Sequence, residues 1–192
     1  MKYAAIAFAI VLGAIVTVGA QNSTQRSDDQ QRVARNIATF DDLDFNVFSN
    51  QKWDELKKSH AANIVVHWPD GHETKGIEKH IEDLKAMFVY APDTRIKQHP
   101  VKFGSGEWTS VIGLMEGTFT KPMPRPNGKP ISPTRKAFKL PMNTVGRWNA
   151  RGTMDEEGLF WDNQTYMQQI GVSVPIHSRC LVRAWKTSRG SW

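Results

Sequence analysis

The sequence predicts an α+β domain in which helices near the N-terminus pack against a curved antiparallel sheet. Three observations carry this. Ile77, Ile81, Leu84 and Phe88 repeat at four, three and four, the spacing of an amphipathic helix, with Glu78, Lys79, Glu82 and Lys85 on the other face. Before it, residues 63–69 change to a period of two: Ile64, Val66 and Trp68 fall on one face, Val65 and His67 on the other. From Thr94 onward, segments of strand pattern alternate with turns, and Gly113 and Gly117 inside the longest of them suggest bulges or bends.

The elements follow in order. MKYAAIAFAIVLGAIVTVGA reads as a secretory signal peptide of residues 1–20. Lys2 gives a positive start, the apolar run is short, and Val18-Gly19-Ala20 offers small residues for cleavage before Gln21. The run is too short for a comfortable membrane span of ~20 residues. The protein is therefore expected to be secreted or periplasmic. Residues 21–34, polar at the start, read as a flexible arm. Phe40, Leu43, Val47 and Phe48 then take helical spacing, with Asp41 and Asp42 at the favourable end of the dipole. A second short helix is expected after Asn50 as N-cap, with Trp53, Leu56 and His60 on one face. Pro69-Asp70-Gly71 closes the first strand, and Ala91-Pro92-Asp93 stops the amphipathic helix. Strands are predicted over residues 94–103, 107–120 and 137–148. A proline-rich loop spans 121–134 and a turn 149–157. The last short strand covers 158–162, and Gln164 to Ile170 forms a helix closed by Gly171. Residues 173–192 are basic and patternless, and are expected to be a poorly ordered tail.

Composition narrows the function classes. The chain is 23% charged and 40% hydrophobic, with no second long apolar run. Its formal charge of +6 comes largely from its ends. Lys2 lies in the leader, and Arg179, Arg183, Lys186 and Arg189 lie in the tail without a compensating acid. The domain between them is nearly neutral, which gives no support to nucleic-acid binding. Membrane contact, if any, would go through the tail. Cys180 is the single cysteine, so packing rather than an intrachain disulfide must hold the domain together.

No phosphate loop, nucleophile elbow or zinc-protease motif occurs. His67, Asp70 and His72 cluster around a turn, but their spacing fits no metal-ligand pattern. Cys180 lacks an ordered base beside it in the tail. Asp162 is the leading candidate for chemistry. It follows Leu159, Phe160 and Trp161, and an acid held among such side chains would be desolvated toward the range of a general acid/base. The same position suits a helix cap, and spacing alone leaves the two readings open. His67 and His99 are strand histidines that are structural, surface-exposed or facing a cavity, and Glu116 points into a pocket or into solvent.

NIVVHWPDGHETKG, the helix GIEKHIEDLKAMF, MEGTFT before the proline-rich loop, and EEGLFWDNQTYMQQIG together resemble the SnoaL-like polyketide and ester cyclases, of the nuclear transport factor 2-like superfamily. The likeness runs in order over residues ~35–172, with FWDNQTYMQQIG its most specific part. It implies a cone: a strongly curved antiparallel sheet around helices, with a pocket in its mouth. It also implies acid/base chemistry without metal or organic cofactor, in which a late aspartate removes a proton next to a carbonyl and the enolate closes a ring. Asp162 falls at the matching place and His67 on the early strand where the cyclases carry a pocket histidine. Trp68, Phe88, Met115, Phe119, Asn143 and Trp161 are then the expected substrate-binding residues. The pattern departs at Phe119, where a histidine is common, and at Asn143 and Arg147, where the cyclases present histidine or glutamine. The expected ligand is a small, largely apolar carbonyl compound, and a homodimer is expected from the resemblance. A non-catalytic binding or dimerising module on the same cone is the alternative, since this fold hosts both.

Overall fold

The computed structural model describes residues 25–125 and 128–172. The leader and the tail of the sequence reading lie outside the described residues. Helix α1 runs over residues 25–42 and continues without a break as a π-helical turn, Leu43–Phe48. Residues 25–34 are thus helical, not the flexible arm expected. Arg32 explains part of this: it pairs with Asp29 one turn earlier at 2.7 Å and donates to the Gly106 carbonyl at 3.2 Å. A 3₁₀ helix, Trp53–Lys58, follows; Asn50 does not cap it but folds back onto the Phe45 and Asn46 carbonyls.

The strands are β1 (His60–His67), β2 (Glu73–Lys75), β3 (Arg95–Ile96), β4 (Val101–Ser105), β5 (Trp108–Thr118), β6 (Ala137–Trp148) and β7 (Met154–Phe160). Between β2 and β3 lies α2 (Ile77–Tyr90), and α3 (Asn163–Gln169) ends the domain. The sheet order is β2-β1-β7-β6-β5-β3, with β4 also on β5. Every pairing is antiparallel except β1 with β7, which is parallel. The expected antiparallel sheet is therefore a mixed one. Register shifts between His60 and Val65 and between Arg147 and Trp148 are irregularities of the kind that bend a strand.

Three boundaries differ from the sequence reading. β1 begins at His60, so that residue sits on a strand rather than on the preceding helix. The stretch 94–103 breaks into β3 and β4, because Pro100 has no N–H to keep a ladder going. β7 begins at Met154, so Glu157 is a strand residue and not part of a turn.

Alternation along β5, β6 and β7 places one face of the sheet against the helices. Phe40, Trp148, Ile64, Val66, Met115, Phe138 and Leu140 fill the space between, with the Trp148 indole donating to Thr109 at 2.8 Å. Gly76 starts α2 at φ 89°, a conformation other residues rarely take, and its N–H bonds the Ile64 carbonyl at 2.8 Å. That contact lays the first turn of α2 across β1. Among the described residues no helix is long and apolar enough to cross a membrane.

Candidate active site

Two polar groups lie inside this apolar packing. The first joins three elements. His60 opens β1, His80 stands in the first turns of α2, and Glu157 faces inward from β7 opposite Val66. All three are buried, at 2%, 2% and 4% exposure. Glu157 Oε2 lies 3.5 Å from His60 Nε2 and 3.3 Å from His80 Nε2. His60 Nδ1 meets the Leu56 carbonyl at 3.3 Å and the Ser59 hydroxyl at 2.9 Å. A carbonyl can only accept, so the proton of this ring is assigned to Nδ1. His60 Nε2, His80 Nδ1 and Glu157 Oε2 have no hydrogen-bond partner. Burial pushes His80 down to about 4, against the pull of the Glu157 charge.

The second group is a chain. Asp41, at the end of α1, and Asp44, in the π-helical turn, are three apart and face the same way. His99, between β3 and β4, lies between them: its Nδ1 is 2.8 Å from Asp41 and its Nε2 2.8 Å from Asp44. Gly113 lies beneath this segment: a Cβ there would press on Ile96 at 3.0 Å and meet the imidazole at ordinary contact distance, 3.5 Å. Burial raises Asp44, and the His99 hydrogen bond only partly offsets this. His99 is itself raised, because the bonds and charges of Asp44 and Asp41 outweigh its desolvation. Asp41 is held low despite partial burial, by Lys102 and His99. The chain runs from a partly exposed carboxylate to a buried one.

Asp44, His60, His80 and Glu157 line one pocket together with Leu84, Met142 and Trp68. Its free volume is about 30 Å³, room for a water-sized group. A second chamber of about 220 Å³ adjoins it, sharing Trp68, Met87 and Trp161 as a partition and lined beyond them by Met115, Met123, Met167 and the Tyr90 and Tyr166 rings. The two tyrosine hydroxyls meet at 3.0 Å. The Trp68 indole is fixed by a bond to Thr74 at 2.9 Å, which in turn donates to Asp83 at 2.6 Å.

The residues expected from sequence are scattered around this site. Asp162 is exposed and caps α3: it accepts from the Gln164 and Thr165 amides at 2.9 and 3.1 Å and from the Thr165 hydroxyl at 2.6 Å. Those bonds lower its pKa, the reverse of the raised value a general acid needs. It is a helix cap and not the pocket acid. His67 points to the outer face of the sheet, exposed between Glu156 at 3.3 Å and Glu73 at 3.6 Å, and so is not in the pocket either. Asn143 also lies outside, accepting from Ser110 at 2.8 Å. Phe88 belongs to the core, edge-on to Phe48 and Trp53. Phe119 is fully buried behind the chamber, edge-on to Tyr90. Trp68, Trp161 and Met115 do line the cavities. Glu116 pairs with Arg95 at 2.9 Å, and His72 with Asp70, both near the surface.

Asp44, His60, His80 and Glu157 were not singled out from sequence. One signal was present: His80 falls between Ile77 and Leu84 on the apolar stripe of α2, where a polar residue must be buried.

A family model described as SnoaL-like polyketide cyclase matches residues 43–170. The chain belongs to the SnoaL-like polyketide cyclase family. Solved structures bear out the fold. A candidate SnoaL-like polyketide cyclase from Jannaschia sp. CCS1 superposes with a TM-score of 0.62 at 17% identity, over 74% of this chain and 94% of that one. IdmH, a candidate polyketide cyclase from Streptomyces antibioticus, gives 0.60 at 19% identity, over 71% and 99%. A protein from Catenulispora acidiphila with a ketosteroid isomerase-like fold, bound to trimethylamine, gives 0.56 at 12%, over 72% and 93%. Among curated proteins nothing matches. The SnoaL-like domain thus holds its buried polar groups on a well-populated scaffold.

The Asp41–His99–Asp44 chain makes stability depend on pH. A histidine raised on folding contributes stability fully below its unfolded value of ~6.5, and loses it as pH rises through the folded value. The difference in unfolding free energy between wild type and His99→Gln, from urea denaturation, is expected to be larger at pH 6 than at pH 9.

Proposed function

We propose that this SnoaL-like protein performs cyclase- or isomerase-type proton transfer on a small, largely apolar carbonyl compound, with Asp44 as the general acid/base. One observation carries the reading. Asp44 is a buried carboxylate lining the pocket, raised by burial, and linked through His99 to Asp41 near the surface. A base of raised pKa both takes a proton and returns it near neutral pH. His99 and Asp41 provide a hydrogen-bonded path along which that proton can be exchanged. The apolar body of the compound would occupy the methionine-lined chamber, with its carbonyl passing Trp68 and Trp161 toward Asp44.

The step tested first is removal of a proton next to a carbonyl, because it needs no knowledge of the natural substrate. A panel of β-keto esters and 1,3-diketones is incubated with the protein in D₂O, and deuterium uptake at the acidic carbon is followed by NMR. Wild type is expected to accelerate uptake for some members. Asp44→Asn is expected to lower that rate on the order of 10²–10⁴-fold, and Asp162→Asn to leave it unchanged. Uptake at the buffer rate throughout the panel, or at the wild-type rate in Asp44→Asn, would favour the non-catalytic binding module.

The homodimer is kept as part of this proposal. Phe103, Trp108 and Phe160 are 61%, 45% and 55% exposed, and register places them with Val101 and Ile112 on the outer face of the sheet. Such a patch suits a self-complementary contact. Light scattering after size exclusion is expected to give a dimer for wild type and a monomer for Phe103→Glu.

Export is likewise proposed, on the reading of residues 1–20 as a leader. Expression in a bacterial host is expected to yield a periplasmic protein whose N-terminus, by intact mass, is Gln21.

A further inference from the structure

We infer that His60, His80 and Glu157 form a binding site for a divalent transition-metal ion such as Zn²⁺. The cluster is built for a partner it lacks within the protein. His60 Nε2, His80 Nδ1 and Glu157 Oε2 are buried polar atoms without a hydrogen bond. Buried polar atoms left unpaired are uncommon, and here each of three neighbouring residues carries one, His80 meeting Glu157 through its other nitrogen, Nε2.

The distances point the same way. His60 Nε2 and His80 Nε2 lie 3.5 and 3.3 Å from the same Glu157 oxygen. Both exceed the ~2.7–3.2 Å of an N–H···O hydrogen bond. They match the separation of about 3.3–3.4 Å between two ligand atoms that share one tetrahedral ion at bond lengths of ~2.0–2.2 Å. One ligand atom from each of the three residues lies within 4.8 Å of the others.

The tautomer of His60 adds a separate argument. Its Nδ1 is engaged by the Leu56 carbonyl and the Ser59 hydroxyl, so Nε2 offers a lone pair toward Glu157. With the proton on Nδ1, a lone pair and a carboxylate oxygen face each other as two acceptors, and a cation between them would satisfy both. Holding the far nitrogen of a histidine by a backbone carbonyl is also how proteins orient an imidazole for a metal.

Two imidazoles and one carboxylate suit Zn²⁺ and its first-row neighbours rather than Ca²⁺ or Mg²⁺. Three protein ligands leave a fourth position open. Here it would face the free volume of about 30 Å³, which fits a water or one substrate oxygen. An ion there would polarise that oxygen as a Lewis acid, in the same pocket that Asp44 lines. Metal binding itself does not depend on the proton-transfer reading, because the test measures the ion and not turnover.

The full-length protein is dialysed against a chelator, then titrated with Zn²⁺ by calorimetry and with Co²⁺ by visible absorption. Wild type is expected to bind one equivalent of Zn²⁺, and its Co²⁺ form to show the intense bands of a four-coordinate site. His80→Ala and the isosteric Glu157→Gln are expected to lose affinity by more than the roughly 10–100-fold that outer-shell changes cost. His67→Ala/His72→Ala, at the surface, is expected to bind as wild type does. Should the interior variants fail to fold, judged by circular dichroism, the wild-type Co²⁺ spectrum still decides. The inference is overturned if wild type binds no equivalent, if its Co²⁺ form shows only the weak bands of a six-coordinate ion, if folded Glu157→Gln and His80→Ala bind as wild type does, or if the surface double variant alone abolishes binding.

Discussion

β1 and β7 lie side by side and parallel, although most of the domain separates them in sequence. Parallel neighbours cannot be joined by a hairpin, so the chain between them must travel around, and it does so as α2 and the antiparallel strands. The register of this one pairing decides what the interior contains. Glu156 and Glu157 are consecutive, and a strand sends consecutive side chains to opposite faces. In the observed register Glu156 is outside, bonded to Arg147 at 3.0 Å, and Glu157 is inside beside His60 and His80. A slip of one residue would exchange them and drive Leu159 out of the core. The apolar positions of β7 therefore fix the place of the buried carboxylate.

The two polar groups inside the domain are balanced differently. In the Asp41–His99–Asp44 chain each ring nitrogen has an acceptor, and the outer carboxylate is further paired with Lys102. Such a network orders the π-helical turn against the segment before β4 and can hold a proton without further help. The His60–His80–Glu157 cluster has the same kinds of atoms but leaves three of them unpaired. It contributes no evident stability of its own, and a core of leucine-sized side chains in its place would avoid the desolvation. It is drawn from three different elements and lines the same pocket as Asp44, so both buried polar groups meet in one place.

Much of the fold was legible because it rests on periodicity. The helix at 77–90, the strands β5 and β6, the proline-rich loop and the terminal helix follow from spacing, glycine and proline. The parallel pair was not legible, because pairing between distant strands leaves no mark on either one. The site was lost at element boundaries. The sequence pattern puts His60 on the preceding helix and Glu157 in a turn, and in both cases the strand begins a few residues earlier than the pattern suggests. Polar residues at strand starts weaken the alternation that would announce the strand. Asp44 was missed for another reason. Asp41 and Asp42 just before it read as dipole compensation at a helix start, whereas α1 begins at residue 25 and the helical stretch ends one turn after Asp44, at Phe48.

The segment that identifies the family is not the segment that lines the buried polar site. In FWDNQTYMQQIG, Asp162 caps α3, Tyr166 and Ile170 bury its inner face, and the Trp161 indole donates to Asn163 at 2.7 Å. These are the demands of docking a short helix across the end of the sheet, and any chain that closes the domain this way meets them whatever it does next. A motif of that kind transmits a fold reliably and a mechanism poorly. The positions for which chemistry is proposed instead lie where single polar residues interrupt apolar faces: His80 on α2, Glu157 on β7 and Asp44 in the π-helical turn. Because each is alone within its element, none forms a motif, and only the packing of those elements on one another brings them to the same pocket.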